Sequence, residues 1–227
     1  MAKVQTTING KLLSTFGAKL ADYQVGACSY SDSYLLPPRS IVPIKLNGKV
    51  GLRKVTVTLD IFGASEGAIA LAISNLTAEL MKQAELYLPD GFYYNCVYSK
   101  TSTPESVAPW ISRVKFEFNG YRHGARVNVN VFNGTVVNVL GNFETPAFYD
   151  IDKSNAADLS LTINGITVRN ATERIKIDGI NAKVTMGGLN KFGDTDIIEF
   201  PKLKPGENTM YLTGTTSAML SYYPIYL

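Results

Sequence analysis

Along much of the chain apolar residues occupy every second position: Val55, Val57, Leu59 and Ile61, then Val114, Phe116 and Phe118, then Val127, Val129 and Val131. A period of two belongs to a strand with one buried face, because successive side chains point to opposite sides of a sheet. The alternation returns in Leu159, Leu161 and Ile163 and in Ile175 and Ile177, with polar residues between. These runs predict antiparallel strands of a sandwich, buried on one face and wet or covered on the other.

Between the runs a tripeptide recurs in which an apolar residue precedes Asn or Asp and then Gly. It stands at Ile8-Asn9-Gly10, Leu46-Asn47-Gly48, Phe118-Asn119-Gly120, Phe132-Asn133-Gly134, Ile163-Asn164-Gly165 and Ile177-Asp178-Gly179. Asn-Gly and Asp-Gly supply the positive φ angles of two-residue hairpin turns, so each tripeptide predicts a strand reversal. The spread of these signals over the whole length predicts a mainly β protein.

One segment departs from the rule. From Ser65 to Leu88 the residues Ile69, Ile73, Leu76, Leu80 and Tyr87 follow helical spacing, with Ser65 as N-cap and Glu66 in the first turn. A helix over about 65–88 is expected, stopped by Leu88-Pro89-Asp90-Gly91. It either covers one face of the first sheet or is presented to a partner subunit, and pattern alone does not separate the two. The segment Tyr23 to Pro43 has no clear period and reads as an extended excursion. Its residues Tyr30, Tyr34, Leu35 and Leu36 are either the cover of a small core or an arm exchanged with a neighbour, and they are the candidate oligomer interface.

With 227 residues the chain is long enough for two β domains. A boundary fits near Asn133 to Gly141, giving domains 1–134 and 135–227 with net charges of about +5 and −2. The overall charge of +3 is too small to point to nucleic acid or an anionic membrane. The aromatics of the Arg113 to Arg126 stretch are sent inward by alternation, which argues further against a nucleic-acid groove. No stretch approaches the roughly 18 apolar residues of a membrane span, and the first residues lack the apolar core of a signal peptide. Without secretion the glycosylation-type triplets at Asn75, Asn133 and Asn170 are chance matches.

Candidate chemistry is sparse. Cys28 and Cys96 make neither a disulfide framework nor a four-ligand zinc site, and they suit a reducing compartment. The one histidine, His123, sits at an expected surface turn with no nucleophile-elbow motif anywhere. Asp150 with Asp152, or Asp194 with Asp196, could form the two-acid set of a glycosidase or bind calcium, but acids this close in loops usually stay solvated. Gly187-Gly188-Leu189-Asn190-Lys191 lies in a β context and reads as a turn rather than a phosphate loop. The expectation is a protein that is not an enzyme and holds no cofactor or metal, which leaves binding or assembly.

The order of features resembles a known family. Ser14-Thr15-Phe16-Gly17-Ala18-Lys19-Leu20 and Asp22-Tyr23-Gln24-Val25-Gly26, ahead of a helix, resemble the first domain of the distal tail proteins of long-tailed, non-contractile bacteriophages. Gly141-Asn142-Phe143-Glu144-Thr145-Pro146, Leu161-Thr162-Ile163-Asn164-Gly165 and above all Phe200-Pro201-Lys202-Leu203-Lys204-Pro205-Gly206-Glu207-Asn208 resemble their galectin-like C-terminal domain. The resemblance implies an N-terminal β-sandwich with one long helix, followed by a galectin-like antiparallel β-sandwich. It implies a virion protein of the phage tail tip or baseplate, made in the cytoplasm of the host bacterium. Six copies would form a ring joining the tail tube protein to the tail-associated hub or fibre protein, with receptor-binding proteins on its flank. The alternative is a stand-alone carbohydrate-binding, lectin-like module. The galectin sugar-binding set needs His and Trp, and residues 135–227 contain neither, so the fold would serve as a docking platform.

Overall fold

The computed structural model describes residues 5–35, 38, 41–42, 44–152 and 160–227. Leu36, Pro43 and Leu159, named above, lie outside them. The chain is mainly β, with one α-helix among the described residues, and it divides into two compact units, Met1–Arg122 with Leu227, and His123–Tyr226. This division lies before the boundary read from sequence, and the strand Val127–Val131 falls in the second unit. It pairs there with Ala218–Tyr222, from Val127↔Tyr222 to Val131↔Ala218. A partner so distant in sequence, rather than the nearest turn signal, settles which core a strand joins.

In the first unit the elements are β1 (Thr7–Ile8), β2 (Lys11–Leu12), β3 (Ala18–Leu35), β4 (Ile44–Phe62), α1 (Glu66–Leu80), β5 (Ala84–Tyr87), β6 (Tyr93–Thr101), β7 (Glu105–Ala108) and β8 (Ile111–His123). The strands hydrogen-bond in the order β2-β1-β5-β6-β8-β4-β3, with β7 also on β8. Register puts Val55 opposite Phe118, Val57 opposite Phe116 and Leu59 opposite Val114. Same-face apolar pairs of this kind are the unit of sheet stabilisation, and all six are buried. Helix α1 adds Ile69, Leu76 and Leu80 to the same core.

The helix starts where its sequence signals place it. The Ser65 hydroxyl accepts from Ala68 N at 3.2 Å, satisfying one of the amides left free in a first turn, and Glu66 meets the positive end of the dipole. It ends at Leu80 and not near Leu88. From Ala84 onward burial returns to period two, with Ala84, Leu86 and Leu88 inside and Glu85 and Tyr87 between them. A backbone that pairs with β1 and β6 cannot also be helical, so long-range pairing overrides the apparent helical spacing of Tyr87. Leu88-Pro89-Asp90-Gly91 is a turn as expected: Gly91 N donates to Leu88 O at 3.0 Å with φ +82°.

The six turn tripeptides divide by context. Asn9-Gly10 and Asn164-Gly165 are two-residue hairpin loops with both residues left-handed. Phe132-Asn133-Gly134 and Ile177-Asp178-Gly179 open longer reversals, the second capped by Asp178 Oδ1, which accepts from Ile180 N and Asn181 N. Leu46-Asn47-Gly48 and Phe118-Asn119-Gly120, by contrast, run straight through β4 and β8. At Gly120 the requirement is space, not φ: an added Cβ would overlap the Asn95 carbonyl and lie 2.5 Å from Cys96 Sγ.

The second unit contains β9 (Val127–Val131), β10 (Val136–Val139), β11 (Thr145–Pro146), β12 (Phe148–Ile151), β13 (Leu161–Ile163), β14 (Ile166–Val168), β15 (Ile175–Asp178), β16 (Lys183–Met186), β17 (Leu189–Asn190), β18 (Lys202–Leu203), β19 (Gly206–Thr209), β20 (Leu212–Thr213) and β21 (Ala218–Tyr222). Antiparallel sheets run β17-β16-β15-β12-β21-β9 and β14-β13-β20, beside the pairs β10-β19 and β11-β18. Tyr149, Ile151, Ile163, Ile177, Leu220 and Tyr222 lie in one core. The buried Tyr149 hydroxyl accepts from Asn164 Nδ2 at 2.9 Å, and burial pushes its pKa up to about 12. The Pro205-Gly206 turn forms with Gly206 at φ +90° and leads into β19, and Gly187-Gly188 is a hairpin turn between β16 and β17.

Candidate assembly surface

Strands β3 and β4 form an antiparallel ribbon from Ala18↔Ile61 to Leu35↔Ile44. Strand β8 accompanies β4 only between Arg53 and Phe62. Beyond Arg53 the ribbon is two strands wide, and its residues 29–35 and 44–46 are exposed. An isolated two-stranded ribbon is marginal in water, and its backbone edges invite a further strand or partner. Strand β3 carries register shifts at Leu20/Asp22, Val25/Cys28, Cys28/Tyr30 and Ser33/Tyr34. These bulges erase the period of two, which is why the segment reads in sequence as an excursion without pattern.

Tyr30, Tyr34 and Leu35 lie on the outer half of β3, each more than half exposed. Leu36 lies outside the described residues. Tyr23, nearer the strand start, packs on the core, whereas Tyr30 and Tyr34 do not cover it. The Lys45 ammonium donates to the Tyr30 hydroxyl and stands 4.6 Å from that ring's centroid. Ile41, Val42, Ile44 and Leu46 add further apolar surface, again each more than half exposed. Apolar side chains gathered at one exposed end of a ribbon make it a candidate interaction surface, which scattered ones would not.

A second apolar surface lies at the opposite end of β4. Strands β7 and β8 reverse through Pro109 and Trp110, with Ala108 opposite Ile111. Proline presets the first turn angle, and Trp110 takes the second with φ +75°, a place glycine normally fills. Its carbonyl accepts from Gly63 N at 3.1 Å, which pins the turn to the end of β4. The indole, the only one in the chain, is 61% exposed. Beside it α1 and the β7–β8 turn bound a groove of about 590 Å³ lined by Glu66, Ile69, Ile73, Pro104 and Ile111. Sequence reasoning gave neither Pro109 nor Trp110 a role; a proline is a local turn signal, but nothing local announces a bulky residue in glycine's place.

The residues considered for catalysis are occupied structurally. Asp150 accepts two hydrogen bonds from the Arg174 guanidinium, at 2.6 and 2.7 Å. The Lys191 ammonium beside Asp194, and the Thr167 amide donating to Asp196, hold both carboxyls below the usual carboxylate range. A glycosidase general acid needs the opposite shift. His123, expected at the surface, is buried at the end of β8, with Nδ1 2.8 Å from Gly124 O and its ring edge-on to Tyr223 at 5.1 Å. Burial pushes the Cys96 thiol up to about 12. Among the described residues no three of His, Cys, Asp and Glu are placed to share a metal ion, and no helix is long and apolar enough to cross a membrane.

No family model and no curated protein matches the sequence. Solved structures do match the fold. The SPP1 Dit protein, a paradigm of the hub adsorption apparatus in phages infecting Gram-positive bacteria, superimposes with a TM-score of 0.73 at 15% identity, over 98% of this chain and 99% of that one. A chain of the phage P2 baseplate in its activated conformation with Ca gives 0.63 at 10% identity, over 97% of each. With Sr the baseplate gives 0.63 at 10%, over 96% and 97%. From end to end this chain has the fold of phage tail hub and baseplate proteins.

Proposed function

We propose that this chain is a structural subunit of a bacteriophage tail tip, located in the virion. The observation that carries the reading is likeness to the SPP1 Dit protein across 98% of the chain, covering both units rather than one. A borrowed sandwich module would match in one unit alone.

In this reading six copies close a ring through their first units, and the second units serve as docking platforms. The ring joins the tail tube above to the hub or fibre protein below and offers its flank to receptor-binding proteins. Such a ring requires a heterologous interface that closes, so each subunit must present two different complementary patches. The outer β3–β4 ribbon, with Tyr30, Tyr34 and Leu35, supplies one of them.

The test is the mass of the purified protein by light scattering over a concentration series, with negative-stain images. A species of about six times 24.8 kDa with a central hole is the expected result. A protein that stays monomeric with and without tube and hub proteins, and that a cell-wall sugar saturates, would replace this reading by the lectin-like one.

A further inference from the structure

We infer that the Trp110 groove receives the apolar end of the β3–β4 ribbon of a second copy of this chain. The inference rests on the assembly reading above and names the second patch that reading requires.

Three observations carry it. First, the two surfaces lie at opposite ends of one strand: the ribbon end at Ile44, the groove beside Phe62 and Gly63. The 19 residues of β4 span roughly 60 Å at about 3.3 Å each. A subunit's own ribbon end is therefore far along the strand from its own groove, and surfaces so placed join copies head to tail.

Second, Trp110 is an outlier in two respects. It adopts a left-handed backbone at a turn position suited to glycine, and it exposes the largest apolar side chain the code offers. Strain that the local fold does not require points to function at that residue, and a tryptophan beside a groove is a common anchor of protein interfaces.

Third, the charges match. The outer ribbon carries Lys45 and Lys49 against Asp32, whereas the groove is lined by Glu66 and no cation. Another groove of the first unit, lined by Leu12, Leu20 and Pro89, includes Lys19 and would set like charges together.

The test uses two full-length variants. Trp110→Gly removes the ring while giving the turn its preferred residue, so the monomer should unfold at the same temperature or higher. Its assembly should weaken roughly 30-fold or more, as for a central anchor, and Trp110→Phe should restore much of it. A ribbon variant, Tyr34→Asp with Leu35→Asp, should be equally unable to form rings. Mixing the two variants leaves one intact joint between an unaltered ribbon and an unaltered groove. The mixture should give a one-to-one dimer, of about twice 24.8 kDa, that neither variant forms alone.

If Trp110→Gly still forms rings while the ribbon variant does not, the groove pairing is wrong and the ring reading stands. If the mixed dimer forms but the natural protein makes open chains, the pairing stands and the closed ring falls. A mixture that stays monomeric at millimolar concentration overturns the pairing.

Discussion

Replacing Tyr34 and Leu35 together by Thr isolates the contribution of the ribbon to assembly, because Thr keeps the strand propensity that Ser would lose. Tyr34 is 66% and Leu35 52% exposed. With side-chain areas of about 200 and 170 Å², roughly 220 Å² is available to be covered by a neighbour. At about 25 cal/mol per Å² this corresponds to about 5 kcal/mol, of which Thr retains some two-fifths. Each joint should therefore weaken by up to about 3 kcal/mol, or roughly 100-fold in dissociation constant. In the free subunit both side chains are more than half in water and neither packs on the core, so its stability should change by no more than about 0.5 kcal/mol. Sedimentation velocity gives the first quantity and urea unfolding of the dissociated subunit the second. Unchanged assembly across the concentration series refutes the assignment of the ribbon, and a large loss of subunit stability refutes the reasoning that the ribbon end stands apart from the core.

Further expectations concern the framework that holds these surfaces. Gly120→Ala should destabilise the first unit by about 2–3 kcal/mol in urea unfolding, because the new methyl meets backbone at Asn95 and the buried Cys96 rather than a yielding side chain; a loss under about 0.5 kcal/mol would show that the strands separate freely there. The Arg113 guanidinium donates to both Asp60 oxygens at 2.7 and 3.0 Å and holds that carboxyl below its ordinary 3.8. The pair's stabilisation is then complete above pH 3.8 and lost as pH falls through the lower folded value. The gap in thermal midpoint between the natural protein and Asp60→Asn should close in that acid range, and a gap independent of pH would contradict the assignment. Cys96 is fully buried with its thiol near 12, so in a Cys28→Ser background no thiol should label at pH 8 until the protein unfolds. Rapid labelling of the folded variant would place Cys96 within reach of solvent.

What the sequence determined by itself is whatever rests on neighbours in the chain. Alternation produced the buried faces of β4, β8 and β9, since side-chain direction in a strand follows from local geometry. Ser65 with Glu66 marked the start of α1, and Asn9-Gly10, Asn164-Gly165 and Pro205-Gly206 marked true turns, because caps and tight turns are satisfied within a few residues. Tyr30, Tyr34 and Leu35 were legible as a candidate surface from tyrosines in a stretch without period. The tertiary structure decided what depends on distant partners. Pairing with β1 and β6 ended the helix at Leu80, pairing with β21 drew Val127–Val131 into the second unit, and pairing with β3 carried Asn47-Gly48 through as strand. It also made Trp110 visible, because a left-handed tryptophan exposed beside a groove is defined by a backbone angle and by elements brought together from α1, β7 and β8. Local pattern specifies direction and reversal; which surfaces remain uncovered depends on everything else having packed.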